Sequence, residues 1–289
     1  MGIFNFKKKD NITEKENRAE DLINENTAFN IREAFNTLRT NVVFALAPSG
    51  GKRLMVTSSN PSEGKSTTSV NLAVVLAQNG NKVLLIDGDL RKPKLHQFFE
   101  VDYTHGLSRF LVGQESLNEA LVHTHIKNLD LIPAGVIPPN PSELLGSNRM
   151  KVFLEKVEEY YNYIIVDTPP INVVTDAAVL SKYVSGVLLV VHYGSTNRDD
   201  FRRSVNQLKI AGANIIGFSM VAVKSEHKGY YKNYRGYKKD YYSAYGYGAR
   251  STRSGSTRSN SGSGSGRSGS TGDANTLQFK SESVDDDEE

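Results

Sequence analysis

The sequence predicts an α/β fold of three layers: a mostly parallel central sheet flanked by helices, followed by a disordered C-terminal tail. Two observations predict the layers. Short apolar runs alternate with stretches of helical period, which is the pattern of successive βαβ units. The runs are apolar throughout rather than alternating, as expected of parallel strands covered on both faces. The tail follows from composition, because after residue 224 aliphatic core residues all but vanish.

The elements follow in order. Residues 30–46 carry Ile31, Phe35, Leu38, Val42 and Ala45 at helical spacing, so a helix with one apolar face is expected. RLMVTSS (53–59) reads as a buried strand, and STTSVNLAVVLAQNG as a long helix closed by Gly80. KVLLIDGDL is the next strand and completes a βαβ unit. LDLIPAG (129–135) is a short strand, residues 142–161 are two helical pieces, and YIIVD (163–167) is a strand. A helix over 177–183, the strand GVLLVVHYG, a helix over 199–211 and the strand IIGFSMVAV finish the series.

Composition sets the limits. Apolar residues are 38% of the 289, and the deficit is concentrated from Ala249 to Gly272, a tract of Ser, Gly, Thr and Arg. There is no cysteine, which removes disulfides and thiol nucleophiles and fits a reducing cytoplasm. No apolar run reaches the roughly 18 residues of a membrane span, and MGIFNFKKKDN is not a secretory signal. The net charge of +3 is unevenly spread. Residues 224–250 hold seven Lys/Arg against two Asp/Glu, while 273–289 hold seven acids against one Lys. A general nucleic-acid binder more often shows one large basic face. The expected organisation is a flexible arm (1–28), a nucleotide-binding domain (29–224), a tyrosine-rich tail (225–248) and a disordered Ser/Gly/Arg linker with an acidic end (249–289).

SNPSEGKST (59–67) lies between a predicted strand and a predicted helix, the context that the phosphate-loop pattern requires. The fold is therefore expected to be of the P-loop NTPase kind. Ser59 stands at the pattern's first glycine, and Gly64, Lys65 and Ser66 match. Backbone N–H groups of such a loop, with the helix N-terminus behind them, cradle phosphates. Ser59, Glu63, Gly64, Lys65, Ser66 and Thr67 are the candidate nucleotide contacts, with Lys65 toward the β/γ-phosphates and the Ser66 hydroxyl on Mg²⁺. The bland reading is a Ser/Gly turn that merely caps a helix.

Asp87 and Asp89 follow one buried strand, and Asp167 ends another. Ligands bind beyond the carboxyl ends of parallel strands, so all three acids are expected at the phosphate-loop edge. There a carboxylate can hold Mg²⁺ or take a proton from an attacking hydroxyl, or simply cap a helix. Arg91 and Lys92 can pair with Asp89, stabilise a transferring phosphoryl group, or meet a neighbouring subunit.

With PSEGKST, LLIDGDLRKP, IPPNPSELL, IIVDTPP and the terminal tyrosines together, the chain resembles the bacterial tyrosine kinases (BY-kinases) over about residues 30–247. The resemblance is to their separate cytoplasmic form. It implies a protein-tyrosine autokinase that uses ATP and Mg²⁺ and regulates capsular or exopolysaccharide synthesis and export. It implies phosphate binding by Lys65, proton removal from tyrosine by Asp87 and Mg²⁺ binding by Asp89 and Asp167; Arg91, close to Asp89 in sequence, is the further catalytic candidate. It further implies a membrane-embedded activator of the polysaccharide chain-length type, which recruits the kinase to the inner face of the membrane. A cognate phosphotyrosine phosphatase and ring assembly are also implied. The family's ring helix reads ExxRxxR; here it is Glu33, Asn36, Arg39, lacking the first arginine, with Glu33 and Arg39 as the oligomer contacts.

Tyr230, Tyr231, Tyr234, Tyr237, Tyr241, Tyr242, Tyr245 and Tyr247 are the candidate phosphoacceptors, modified in trans. Two other readings compete for this cluster: a nucleic-acid arm, which the kinase-like core disfavours, and a sticky low-complexity tail. The rival to the kinase as a whole is a partitioning or positioning ATPase of the same fold. Those proteins carry a second lysine early in the loop, where this chain has Asn60.

Overall fold

The computed structural model describes residues 18–223. The tyrosine-rich and acidic segments of the sequence, and its first seventeen residues, lie outside them. In chain order the elements are α1 (Phe29–Leu46), β1 (Arg53–Ser58), α2 (Lys65–Gln78), β2 (Val83–Asp87), α3 (Leu95–Phe99), α4 (Leu107–Leu111) and α5 (Leu117–Ala120). Then come β3 (Val122–His123), β4 (Leu129–Ile132), α6 (Pro141–Leu145), α7 (Asn148–Val157) and β5 (Tyr163–Asp167). The last are α8 (Asp176–Ser181), β6 (Gly186–His192), α9 (Arg198–Ile210) and β7 (Ile215–Val221).

The seven strands form one sheet in the order β3-β4-β2-β5-β1-β6-β7. Every pairing is parallel except β3 with β4. The apolar runs are continuous because each strand feeds two cores. Leu54, Val56, Leu85 and Ile165 point to the layer of α1 and α2, and Met55, Leu84, Ile86, Ile164 and Val166 to the layer of α6, α7, α8 and α9. The helix α2 is buried almost all round, from Thr68 to Ala77, because the sheet lies beneath it and α1 above. That is why its apolar residues show no single face.

The structure departs from the sequence reading in three places. In α1 the buried positions are Val42 and Leu46, with Phe35 and Leu38 packed beside them, whereas Ile31 is 45% exposed and Ala45 faces outward. A 3.6-residue period is satisfied as well by a step of four as by three, and the step from Val42 falls on Leu46. Residues 18–28, expected in a flexible arm, hold a 3₁₀ turn (Ala19–Asp21) and place Leu22 and Ile23 in the core. Between β2 and β4, three short helices and the two-residue β3 appear where no element was expected. Each is too brief to show a period.

The α1 stripe is testable by urea denaturation. Leu46→Ala, at a site 1% exposed, is expected to cost about 2–5 kcal/mol, and Ile31→Ala less than about 1 kcal/mol.

Candidate active site

The site lies beyond the carboxyl ends of β1, β2 and β5. The loop from Ser59 to Gly64 leaves β1 and turns into α2 through two residues of positive φ, Ser62 (65°) and Gly64 (85°). A Cβ on Gly64 would come 3.3 Å from the Val221 side chain, so both the φ and the space favour glycine. Glu63, 1% exposed, fastens the loop. Its Oε2 accepts the Asn60 N–H (2.9 Å), and its Oε1 accepts the Thr196 hydroxyl (2.7 Å) beyond β6. Ser59 accepts the Ser204 hydroxyl from α9 at 2.8 Å. Thr67, half-buried, lies in the first turn of α2.

Strand register brings the carboxylates together. Asp87 of β2 is paired directly with Asp167 of β5. Between the two aspartates of the β2 end, the Gly88 N–H donates to the Asp167 carbonyl at 2.8 Å, and a Cβ on Gly88 would meet that oxygen at 2.8 Å. Lys65 Nζ lies 3.0 Å from Asp89 Oδ2 and 3.2 Å from Asp167 Oδ2. Ser66 donates to Asp167 Oδ2 (2.6 Å), and Ser69, one helical turn on from Lys65, donates to Asp167 Oδ1 (2.9 Å). Asp87 is fully buried. Its Oδ2 accepts the N–H groups of Lys94 (3.1 Å) and Leu95 (3.0 Å), and its Oδ1 that of Asp89 (3.2 Å).

These groups shift one another. Burial pushes the Asp87 carboxyl up to about 7, with the Asp167 charge adding to it, against the Leu95 N–H and the Lys65 charge. Burial alone depresses the Lys65 ammonium, but the charges of Asp167 and Asp89 outweigh it and hold the lysine above its ordinary value. Three carboxylates against one ammonium leave an anionic, dry cluster of hard oxygen donors. Such a set suits a small divalent cation, with Ser66, Asp89 and Asp167 available to it. Among the described residues no three His, Cys, Asp or Glu side chains form a cage able to hold a metal by themselves.

Lys65, Ser66, Asp87, Asp89 and Asp167 therefore converge. Arg91 is engaged elsewhere: its Nε and Nη2 grip Asp176 of α8 (2.8 and 3.0 Å), and Nη2 also reaches the Ser142 hydroxyl of α6 (3.2 Å). Asp176 is fully buried, and an unpaired carboxylate there would be costly, so the guanidinium is committed to it. Glu33 and Arg39 stand on α1, half-buried, with Glu33 accepting the Asn36 amide at 3.0 Å. The eight tail tyrosines lie outside the described residues. Ser69, Ser142, Asp176 and Thr196 escaped the sequence reading. Only Ser69 carried a signal, four residues after Lys65 on a helix whose face was already set.

A family profile described as an AAA domain matches residues 51–198. Tyrosine-protein kinase YwqD of Bacillus subtilis (strain 168) is 42% identical over 202 residues, covering 69% of this chain and 85% of that protein. The solved kinase domain of Escherichia coli tyrosine kinase ETK is 40% identical with a TM-score of 0.64, covering 69% of this chain and 80% of that one. The crystal structure of the chimerical protein CapA2B2 is 38% identical with a TM-score of 0.62, covering 64% and 82%.

The Asp87 shift has a definite sign. Its pKa is pushed up to about 7 in the fold, against 3.8 for a free aspartate side chain. The folded state therefore keeps a proton that the unfolded chain releases. This contribution to stability is full below the unfolded value and is lost as pH rises to about 7. Infrared titration of the nucleotide-free protein is expected to show a carboxyl midpoint at about 7, absent in Asp87→Asn.

Proposed function

The chain belongs to the bacterial tyrosine kinases, and from that premise we propose that it transfers the γ-phosphoryl group of ATP to the tyrosines of a second copy's C-terminal cluster, from Tyr230 to Tyr247. The observation that supports this chemistry is the register pairing of Asp87 with Asp167, whose carboxylate lies against Lys65 of the phosphate loop. Lys65 and the loop N–H groups hold the β/γ-phosphates and keep the transferred group in line. Asp87 accepts the phenol proton as the tyrosine oxygen bonds to phosphorus and the bond to the leaving phosphate oxygen breaks. A carboxylate with a pKa of about 7 is matched to that task at neutral pH. Ser66, Asp89 and Asp167 would hold Mg²⁺, which would supply charge neutralisation to the phosphates. Arg91 acts through structure, tying the Asp87–Asp89 loop to α8 and α6.

The acceptor reading rests on composition. The cluster interleaves eight tyrosines with a net excess of five positive charges across residues 224–250, and each phosphate adds about −1.5 to −2 charges. A basic tail suits an anionic site, and phosphorylation weakens that attraction. Asn60 argues against the partitioning-ATPase reading. It stands where those proteins carry a lysine, and here its amide is held by Glu63 and by Asp200 of α9 (3.0 Å) within the same chain.

Regulation of capsular or exopolysaccharide synthesis is proposed from the family resemblance, with a cognate phosphotyrosine phosphatase as the opposing enzyme. So is ring assembly through α1, with Glu33 and Arg39 as contacts. No helix among the described residues is long and apolar enough to cross a membrane. A membrane-embedded activator recruiting the kinase to the inner face of the membrane completes the proposal, and the similarity to a chimerical CapA2B2 protein supports a two-component arrangement.

Lys65→Met is expected to remove nearly all autophosphorylation. Asp87→Asn is expected to bind nucleotide as wild type does and to lose roughly 10²–10⁴-fold in transfer rate; loss of nucleotide binding would make Asp87 a structural or metal contact instead. Transfer in trans is read by mixing a Lys65→Met chain with an active chain whose eight tail tyrosines are Phe. Phosphate is expected on the inactive chain, and its absence there would exclude the trans reading.

A further inference from the structure

Asn71 is a polar residue where the packing calls for an apolar one. It lies in the interior of α2, 2% exposed, among Val70, Leu72, Ala73 and Val74. Asparagine is also a mediocre helix former. Its amide is fully used. Oδ1 accepts the Ile23 N–H at 2.7 Å, and Nδ2 donates to the carbonyls of Asp21 (2.9 Å) and Thr67 (3.0 Å). Two of these three bonds leave the helix and grip the backbone of residues 21–23.

The same short segment reaches the other half of the site. The Arg18 N–H donates to the Gln97 carbonyl of α3 at 3.4 Å, and the Arg18 guanidinium lies over the Phe98 ring, 4.9 Å from its centroid. Asp21 steadies that guanidinium at 3.2 Å. Helix α3 starts at the Lys94 and Leu95 N–H groups, the donors that hold Asp87 Oδ2. At one end, then, residues 18–23 are bonded to the helix that opens with Lys65. At the other they are bonded to the helix that opens with the Asp87 cradle.

We propose that Asn71 is a positioning residue for phosphoryl transfer, anchoring residues 18–23 as a strap that fixes the Asp87 cradle against the phosphate-loop helix. The inference rests on Asp87 as the acceptor of the tyrosine proton. In-line transfer needs the acceptor and the phosphate to keep their separation, whereas nucleotide affinity needs only the loop, Lys65 and Ser66. Freeing the strap therefore separates two quantities that a general loosening of the fold would lower together. Leu22 and Ile23 are the strap's buried apolar anchors. Two such side chains give a local stability well below that of the sheet, so the strap can open while the core stays folded.

The test uses full-length Asn71→Leu, which fills the site with an apolar side chain and removes all three bonds, and Arg18→Ala, which takes the guanidinium off the Phe98 ring of α3 at a partly exposed site and leaves the backbone bond to Gln97 in place. Autophosphorylation rate and KM for ATP are measured for each beside Asp87→Asn. Asn71→Leu is expected to lower kcat by about tenfold to a hundredfold, the scale of a 1 Å misplacement, with KM for ATP within about threefold of wild type. Arg18→Ala is expected to shift the same quantities in the same direction, by about two- to fivefold in kcat, and it decides the matter if Asn71→Leu does not fold. An unchanged kcat overturns the proposal, as does a parallel fall of kcat and ATP affinity. If Asp87→Asn itself transfers normally, the base assignment fails and the strap's role falls with it. If Asp87→Asn is inactive and the strap variants are silent, only the strap proposal fails.

Discussion

The Lys65 ammonium is the charge on which the site depends. Asp87, Asp89 and Asp167 are each less than 5% exposed at the ends of two neighbouring strands, and a carboxylate taken out of water costs several kcal/mol even after relaxation. Three in one place are tolerable only with compensation. Lys65 bridges two of them, Ser66 and Ser69 donate to Asp167, and three backbone N–H groups converge on Asp87. The arrangement stays short of positive charge. A deficit of that kind, held dry, is a reason for such a cluster to accept a cation rather than collapse.

Much of this was legible in the sequence because it is local. A strand, a loop ending in Gly64-Lys65-Ser66 and a helix form one continuous string, and the fold places strand ends at one edge of the sheet by rule. The aspartates could be found for the same reason, each lying at or just after the end of a buried apolar run. Long-range partners were hidden. Arg91 shows a free guanidinium in sequence, and only the fold reveals that Asp176, 85 residues away, already holds it. The face of α1 was missed at Ala45 because its choice between steps of three and four is made by α2, not by α1.

The polar residues outside the cluster share one logic. Glu63 ties the phosphate loop to the turn after β6, Arg91 ties the aspartate loop to α6 and α8, and Asn71 ties the N-terminal segment to α2. Each spends its hydrogen-bonding capacity on a connection between separate elements. Leu and Val build the layers, but they slide past one another at little cost, whereas buried hydrogen bonds fix a register. The active-site edge is thus held by direction-dependent contacts and the body by non-directional ones.

Gly88 shows how narrowly that edge can be redrawn. A methyl group at this position would fall 2.8 Å from the Asp167 carbonyl oxygen and 3.0 Å from the Val166 side chain. The obstacle is another strand, so no local rearrangement of the loop relieves it. The freedom of residue 88 is decided by atoms on β5, far along the chain. Anyone diversifying the aspartate loop finds, between two carboxylates that the proposed chemistry already uses, one letter that cannot be rewritten without parting β2 from β5.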